Sequence, residues 1–184
     1  MSNPEYFYEV EENITETGIQ YIFMSEGAND IIKAIQYSYV QEFLDKSLYN
    51  LGFGDYDAET DTISDDSNSN NGDHYRVFNT VLNTIPNFFV NYPNAMMVVQ
   101  GSDSKPEFME SCRPTCKKKC AENECRNSHR RINIYRSYVD KNYEALEVDY
   151  IFYGGKNIVE NQTFIEKYQK GEKYDSVFLM KKDA

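Results

Sequence analysis

The sequence predicts an α+β domain spanning residues 1–184, with a twisted, mainly antiparallel sheet of about six or seven strands, two long helices and a Cys/Lys-rich insert at residues 104–126. Three observations carry that prediction. Aromatic and β-branched residues gather in short runs bounded by Gly, Asn and Asp, as half-buried strands require. Residues 75–91 hold an apolar stripe at helical spacing, and residues 130–143 read as a second long helix. Residues 95–99, Ala-Met-Met-Val-Val, form the continuous apolar run of a buried central strand.

In chain order, residues 6–10 read as a first strand. A polar loop ending at Thr17-Gly18 joins it to a second strand at residues 19–24. Residues 30–44 fit both periods: Ile31, Lys33, Ile35, Tyr37 and Tyr39 alternate, whereas Ile32, Ile35, Tyr39 and Phe43 form a helical stripe. Their β-branched and aromatic content favours a strand over residues 32–40. Residues 47–54 form a fourth strand, stopped by Gly52-Phe53-Gly54-Asp55. Residues 55–73 read as an acidic loop without Lys or Arg, closing on an Asp73 N-cap. Phe78, Val81, Leu82, Ile85 and Phe89 then stripe the first helix, with Pro86 expected to kink it or mark its last turns. After the central strand and the insert come the second helix, a strand at residues 147–153 ending at Gly154-Gly155, and a last strand at residues 176–180.

Composition limits the function. The 16 Tyr and 11 Phe, with no Trp, suit strands whose rings pack while their hydroxyls reach water. A formal net charge of -11 repels polyanions from most of the surface, so broad nucleic-acid binding is not expected. The charge is uneven. From Asp103 to Arg136 nine Lys/Arg face five Asp/Glu, so an anion site is best sought there. The insert has few aromatics besides Phe108, which leaves base stacking poorly supported. No membrane-length apolar run and no basic-then-apolar leader occur, and the expected location is the cytoplasm.

Several motifs fall in a fixed order: Tyr49-Asn50-Leu51-Gly52-Phe53-Gly54-Asp55, Asn70-Asn71-Gly72-Asp73, Tyr92-Pro93-Asn94-Ala95, Gly101-Ser102, and Arg131 followed by Ile134-Tyr135. Together they resemble the domain of unknown function 6934 family, small bacterial proteins common in the Bacteroidota, across residues 6–181. In the family pattern the Arg follows the Gly-Ser pair within a few residues. Here residues 104–126 intervene, and their cysteines are not part of that pattern. The resemblance implies an alignment frame and no activity.

Three groups of residues carry candidate chemistry. Gly101, Ser102 and Arg131, with Tyr135 one turn on, would form an anion-accepting pocket. Glycine permits close approach, a helix N-terminus offers N–H groups, and arginine adds a bidentate fork. The plain alternative is a structural salt bridge from Arg131. Asp55, Asp73 and His74 would form a metal or acid–base cluster. The surrounding acidic loop fails the EF-hand template, with Asn71 and Val77 where Gly and Glu are needed, and a solvated loop is its plain alternative. Cys112, Cys116, Cys120, Cys125 and His129 could hold zinc, with the first three thiols on one helical face and Lys117, Lys118 and Lys119 offsetting thiolate charge. No C-x2-C pair is present, so free or redox-labile thiols compete with that reading.

The leading expectation is a non-enzymatic binding or interaction module that accepts a phosphate-bearing or carboxylate ligand, or a protein partner. Its expected setting is a bacterial operon of toxin–antitoxin or defence type, where small uncharacterised proteins often occur. The alternative is a metal-dependent enzyme acting on nucleotides or phosphodiesters, with Asp55 and Asp73 as ligands, His74 as acid or base and Arg131 as phosphate clamp.

Overall fold

The computed structural model describes residues 6–64, 71–118, 120–121, 124–159 and 162–182. Its contacts divide into two compact units, Met1–Ala95 and Met96–Ala184. Nine strands and three α-helices lie among the described residues, an α+β composition with antiparallel pairing inside each unit. Asp65, Asp66 and the start of the Asn70-to-Asp73 motif lie outside the described residues, as does Lys119.

The first unit is a meander. Strands β1 (Glu11–Thr15), β2 (Gly18–Ser25), β3 (Ile31–Phe43), β4 (Lys46–Asp57) and β5 (Thr62–Ser64) pair antiparallel in sequence order. The ambiguous residues 30–44 are strand, because Ala34, Ile35 and Tyr37 bury there and Tyr37 stacks on Phe88 with ring centroids 4.4 Å apart. Helix α1 (His74–Asn91) supplies Phe88 together with Val77, Val81 and Phe89, and runs five residues past Pro86. Burying such a side chain is worth about 1.5–3 kcal/mol, so this aromatic layer contributes substantially to the unit's stability. Tyr37 and Thr84 share a hydroxyl–hydroxyl bond of 2.8 Å inside the layer, which satisfies both polar groups.

Residues 6–10, expected as a strand, are not one. Tyr8 is buried, its ring stacks on Phe23, and its N–H donates to Thr80 Oγ1 at 2.9 Å, so the segment is tied to a helix side chain instead of a ladder. The strand begins at Glu11, in the polar stretch read as loop. Gly18 opens β2 where a Cβ would stand 2.0 Å from the Tyr37 carbonyl oxygen, a position only glycine can fill. The β3–β4 turn places Leu44 at φ 50° and Asp45 at φ 58°, the paired left-handed residues that a two-residue hairpin requires.

The second unit pairs β6 (Met96–Gln100), β9 (Ser176–Lys181), β7 (Tyr150–Val159) and β8 (Gln162–Lys167) in that spatial order. Helix α3 (Arg130–Leu146) buries Ile132, Tyr135 and Val139. Gly154 and Gly155 do not end a strand, as expected from sequence; β7 runs through them. A Cβ on Gly154 would meet the Tyr174 ring at 2.2 Å, so the glycines make room for side chains from across the fold. Strands β5 and β8 were not anticipated. The insert forms helix α2 (Pro106–Cys112) and one 3-10 turn at Arg113–Thr115, so Cys116 and Cys120 do not share a helical face with Cys112 as expected.

Candidate functional site

The tip of β6 and the head of α3 come together within the second unit. Gly101 is buried and Ser102 exposed at the end of the strand. Arg131 Nη1 donates to Ser102 Oγ at 3.0 Å, so the expected juxtaposition of the Gly-Ser pair with this arginine is present. Tyr135 is 8% exposed and sits in the core, which removes it from the surface of the pocket proposed for it.

The helix end itself is taken. Asp103, 6% exposed, accepts the N–H groups of Arg130 at 2.8 Å and Arg131 at 3.1 Å through Oδ2. Its carbonyl accepts the His129 N–H at 3.2 Å. A carboxylate there satisfies two of the orphan donors of α3 and meets the positive end of the helix dipole. His129 precedes the helix at φ 58° and makes no side-chain cap, so the cap comes from a residue 27 positions upstream in the chain. A Cβ on Gly101 would fall 2.5 Å from Asp103 Oδ1, which explains the glycine: it seats the capping carboxylate. Sequence reasoning missed Asp103, although it follows the Gly-Ser pair directly.

The acids of the first unit converge on cations and hydroxyls. Lys33 Nζ lies 2.5 Å from Asp55 Oδ1, with both side chains about nine-tenths buried. The two residues face each other across β3 and β4. Asp73 heads α1 without capping it. Its Oδ2 accepts the hydroxyls of Tyr8 at 2.8 Å and Ser25 at 2.6 Å, and Asn71 Nδ2 donates to the same Ser25 oxygen at 3.1 Å. Burial acts to raise the Asp73 carboxyl, but the bonds from Ser25 and Tyr8, with the Lys33 charge, hold it below the ordinary carboxylate value. The Arg76 guanidinium covers the Tyr8 ring at 3.8 Å. His74 is exposed and its ring lies against Tyr75, so the expected Asp55–Asp73–His74 cluster is not assembled: the acids meet Lys33 and hydroxyls, not the imidazole.

The four cysteines of the insert are unbridged and half-buried. Cys116 Sγ is 3.8 Å from Cys120 Sγ. Asn127 Nδ2 donates to Cys112 Sγ at 3.4 Å and to Cys116 Sγ at 3.6 Å, and the Arg126 N–H to Cys120 Sγ at 3.4 Å. The backbone N–H of Asn127 holds the Cys125 thiol below the ordinary thiol value. His129 stands exposed at the head of α3, where its N–H is committed to Asp103. Among the described residues no group of three or more His, Cys, Asp or Glu is placed to hold a metal ion. No helix among the described residues is long and apolar enough to cross a membrane.

No curated protein and no solved structure matches the chain. A family model, the Family of unknown function (DUF6934), matches residues 3–107. That stretch holds Asp55, Asp73 and the Gly101–Ser102–Asp103 turn. It stops before the cysteines, Arg131 and Tyr135. The match takes in more than half of the 184 residues, and the chain belongs to this family of unknown function.

Proposed function

We propose that the chain is a non-enzymatic binding module whose second unit accepts a phosphate or carboxylate at the Ser102–Arg131 rim. The observation that carries the reading is the Arg131 Nη1–Ser102 Oγ bond of 3.0 Å, which joins residues 29 apart at an exposed position. A guanidinium held by a hydroxyl is oriented before a ligand arrives, so little side-chain freedom is lost on binding. The local excess of Lys and Arg across residues 103–136 favours an anionic group there and not elsewhere on this acidic chain. Asp103 occupies the amides of α3, so a ligand meets side chains at the rim and not the helix end. Tyr135 lies beneath the rim as packing. A protein partner presenting an acidic or phosphorylated group fits the same chemistry, and a toxin–antitoxin or defence setting belongs to this reading.

The metal-dependent alternative draws less support. Lys33 already neutralises Asp55, and Asp73 already accepts two hydroxyls, so a divalent cation would have to displace both arrangements. The two readings separate in thermal-shift titrations. Inorganic phosphate should raise the Tm of the intact chain in proportion to ln(1 + [L]/Kd), and Arg131→Ala should abolish the rise. Magnesium should leave both proteins unchanged. A phosphate shift that survives Arg131→Ala overturns the proposal, and so does a Mg²⁺ or Mn²⁺ shift that Asp55→Asn removes.

A further inference from the structure

The first unit carries its charge in one sign. Residues 1–95 hold 16 Asp/Glu against three Lys/Arg. Of the three cations, Lys33 is paired with Asp55 and Arg76 covers the Tyr8 ring, so two are already engaged within the unit. Residues 9–32 are more extreme. They hold six acids, Glu9, Glu11, Glu12, Glu16, Glu26 and Asp30, all exposed, and no Lys or Arg.

This acidic stretch borders apolar surface. Strand β2 buries Ile19, Tyr21 and Phe23, and Phe23 meets the Tyr8 ring. The alternate residues Ile22 and Met24 lie on the opposite face, with Ile32 beside Met24 across the β2–β3 ladder. Met24 is 48% exposed and Ile32 37%. With Glu9, Val10 and Glu11 they line an open groove of about 400 Å³. The groove has a structural cause. Strand β1 pairs with β2 only as far as Glu11 opposite Ile22, and the chain before Glu11 leaves the ladder toward α1, where the Tyr8 N–H meets Thr80. Residues Phe23, Met24 and Ser25 therefore have β3 on one side and, among the described residues, no strand on the other.

We propose that this groove docks a basic amphipathic segment of a protein partner. An apolar side chain of the segment covers Ile22, Met24 and Ile32, and Lys or Arg to either side meets Glu9 and Glu11. Exposed ion pairs contribute little singly, so the apolar contact supplies most of the affinity. The acids select the sign of the partner and speed its approach. Methionine is unbranched and adapts its shape to the group laid against it. The same charge repels nucleic acid and anionic lipid from this face. It also repels a second copy of the groove, which disfavours self-association here. The site goes beyond the Ser102–Arg131 rim: it lies in the first unit and takes the opposite charge.

The test uses the full chain with carbon-13 methionine methyl groups, and an amphipathic Lys/Leu peptide as the probe. Of the six methionines, Met24 should shift on titration, while the buried Met96 and Met97 should not. In fluorescence anisotropy Met24→Gln should weaken binding about tenfold, and Glu9→Gln with Glu11→Gln should do the same. Glu42→Gln with Asp45→Asn removes equal charge from exposed sites at the β3–β4 turn and should change the Kd by less than about twofold. A Lys/Ser peptide of equal charge should bind at least about tenfold more weakly than Lys/Leu. Absence of binding at low ionic strength overturns the proposal, as does a Met24 signal that stays in place at saturation. So do equal weakening by the two charge-removing pairs and equal affinity for the Lys/Ser peptide. Dimerisation of the chain that Met24→Gln abolishes would assign the groove to a second copy and overturn it too.

Discussion

Asp103→Ala tests the best-defined feature of the second unit. The carboxylate accepts two N–H groups of α3 at 2.8 and 3.1 Å from a buried position. Losing a side-chain cap costs about 1 kcal/mol, and losing a negative charge at a partly buried helix N-terminus costs about 1 kcal/mol more. The expected destabilisation is therefore about 2 kcal/mol. Asp103→Asn keeps an acceptor oxygen and removes the charge, so it should cost about 1 kcal/mol. Urea unfolding followed by far-UV circular dichroism measures both, with the slope checked for constancy between variants. The chain contains no Trp, so tyrosine fluorescence serves as the second probe. The same two variants should bind inorganic phosphate more tightly than the native chain, because a like charge beside the Arg131 rim is gone. Stability and phosphate affinity thus move in opposite directions. A stability change in Asp103→Ala smaller than about 0.5 kcal/mol, or Asn as damaging as Ala, would refute the capping argument.

Three further outcomes are expected. Lys33→Met should destabilise the chain by about 3 kcal/mol because it strands the Asp55 carboxylate, and adding Asp55→Leu should recover most of the loss in the same denaturation assay. The Asp73 carboxyl titrates below its unfolded value of about 4, so its contribution is present above that pH and disappears as pH falls through the folded value; Asp73→Asn should flatten the acid limb of a Tm-versus-pH curve. Leu44→Asn together with Asp45→Gly should raise stability by about 1 kcal/mol, since the turn holds both residues at positive φ and Leu44 is 62% exposed, with little packing to lose; unchanged or lowered urea midpoints would contradict it.

What could be read from the sequence follows from where burial is periodic. Strands β2 to β4 and helix α1 were legible because Ile19, Tyr21, Ile35, Tyr37, Val81 and Phe88 place apolar groups at a regular spacing. Strand β1, with Glu11 and Glu12, is a polar edge and carries no alternation to find. Strand β7 was cut short at Gly154-Gly155 because local rules treat glycine as a stop, whereas here it admits the Tyr174 ring. The rim was legible to the extent that Gly101-Ser102 and Arg131 belong to one motif set. Asp103 was not, because its bonds reach 27 and 28 residues along the chain and no local pattern records them. The Lys33–Asp55 pair was hidden for a similar reason: the partners are opposite each other in a ladder whose register the sequence does not spell out.

The clamp at Asp103 also says something about how this chain can vary. Its carbonyl and carboxylate grip the backbone at His129, Arg130 and Arg131, so the polypeptide leaves and re-enters the domain at a single stitched point. Everything between is an excursion from residue 104 to 128, most of it beyond the family match that ends at residue 107, and no described part of it from residue 105 to 128 contributes to the interior. Such a segment can be lengthened, shortened or exchanged for a few linking residues at little thermodynamic expense, because closing a longer loop adds only about 0.6 kcal/mol per doubling.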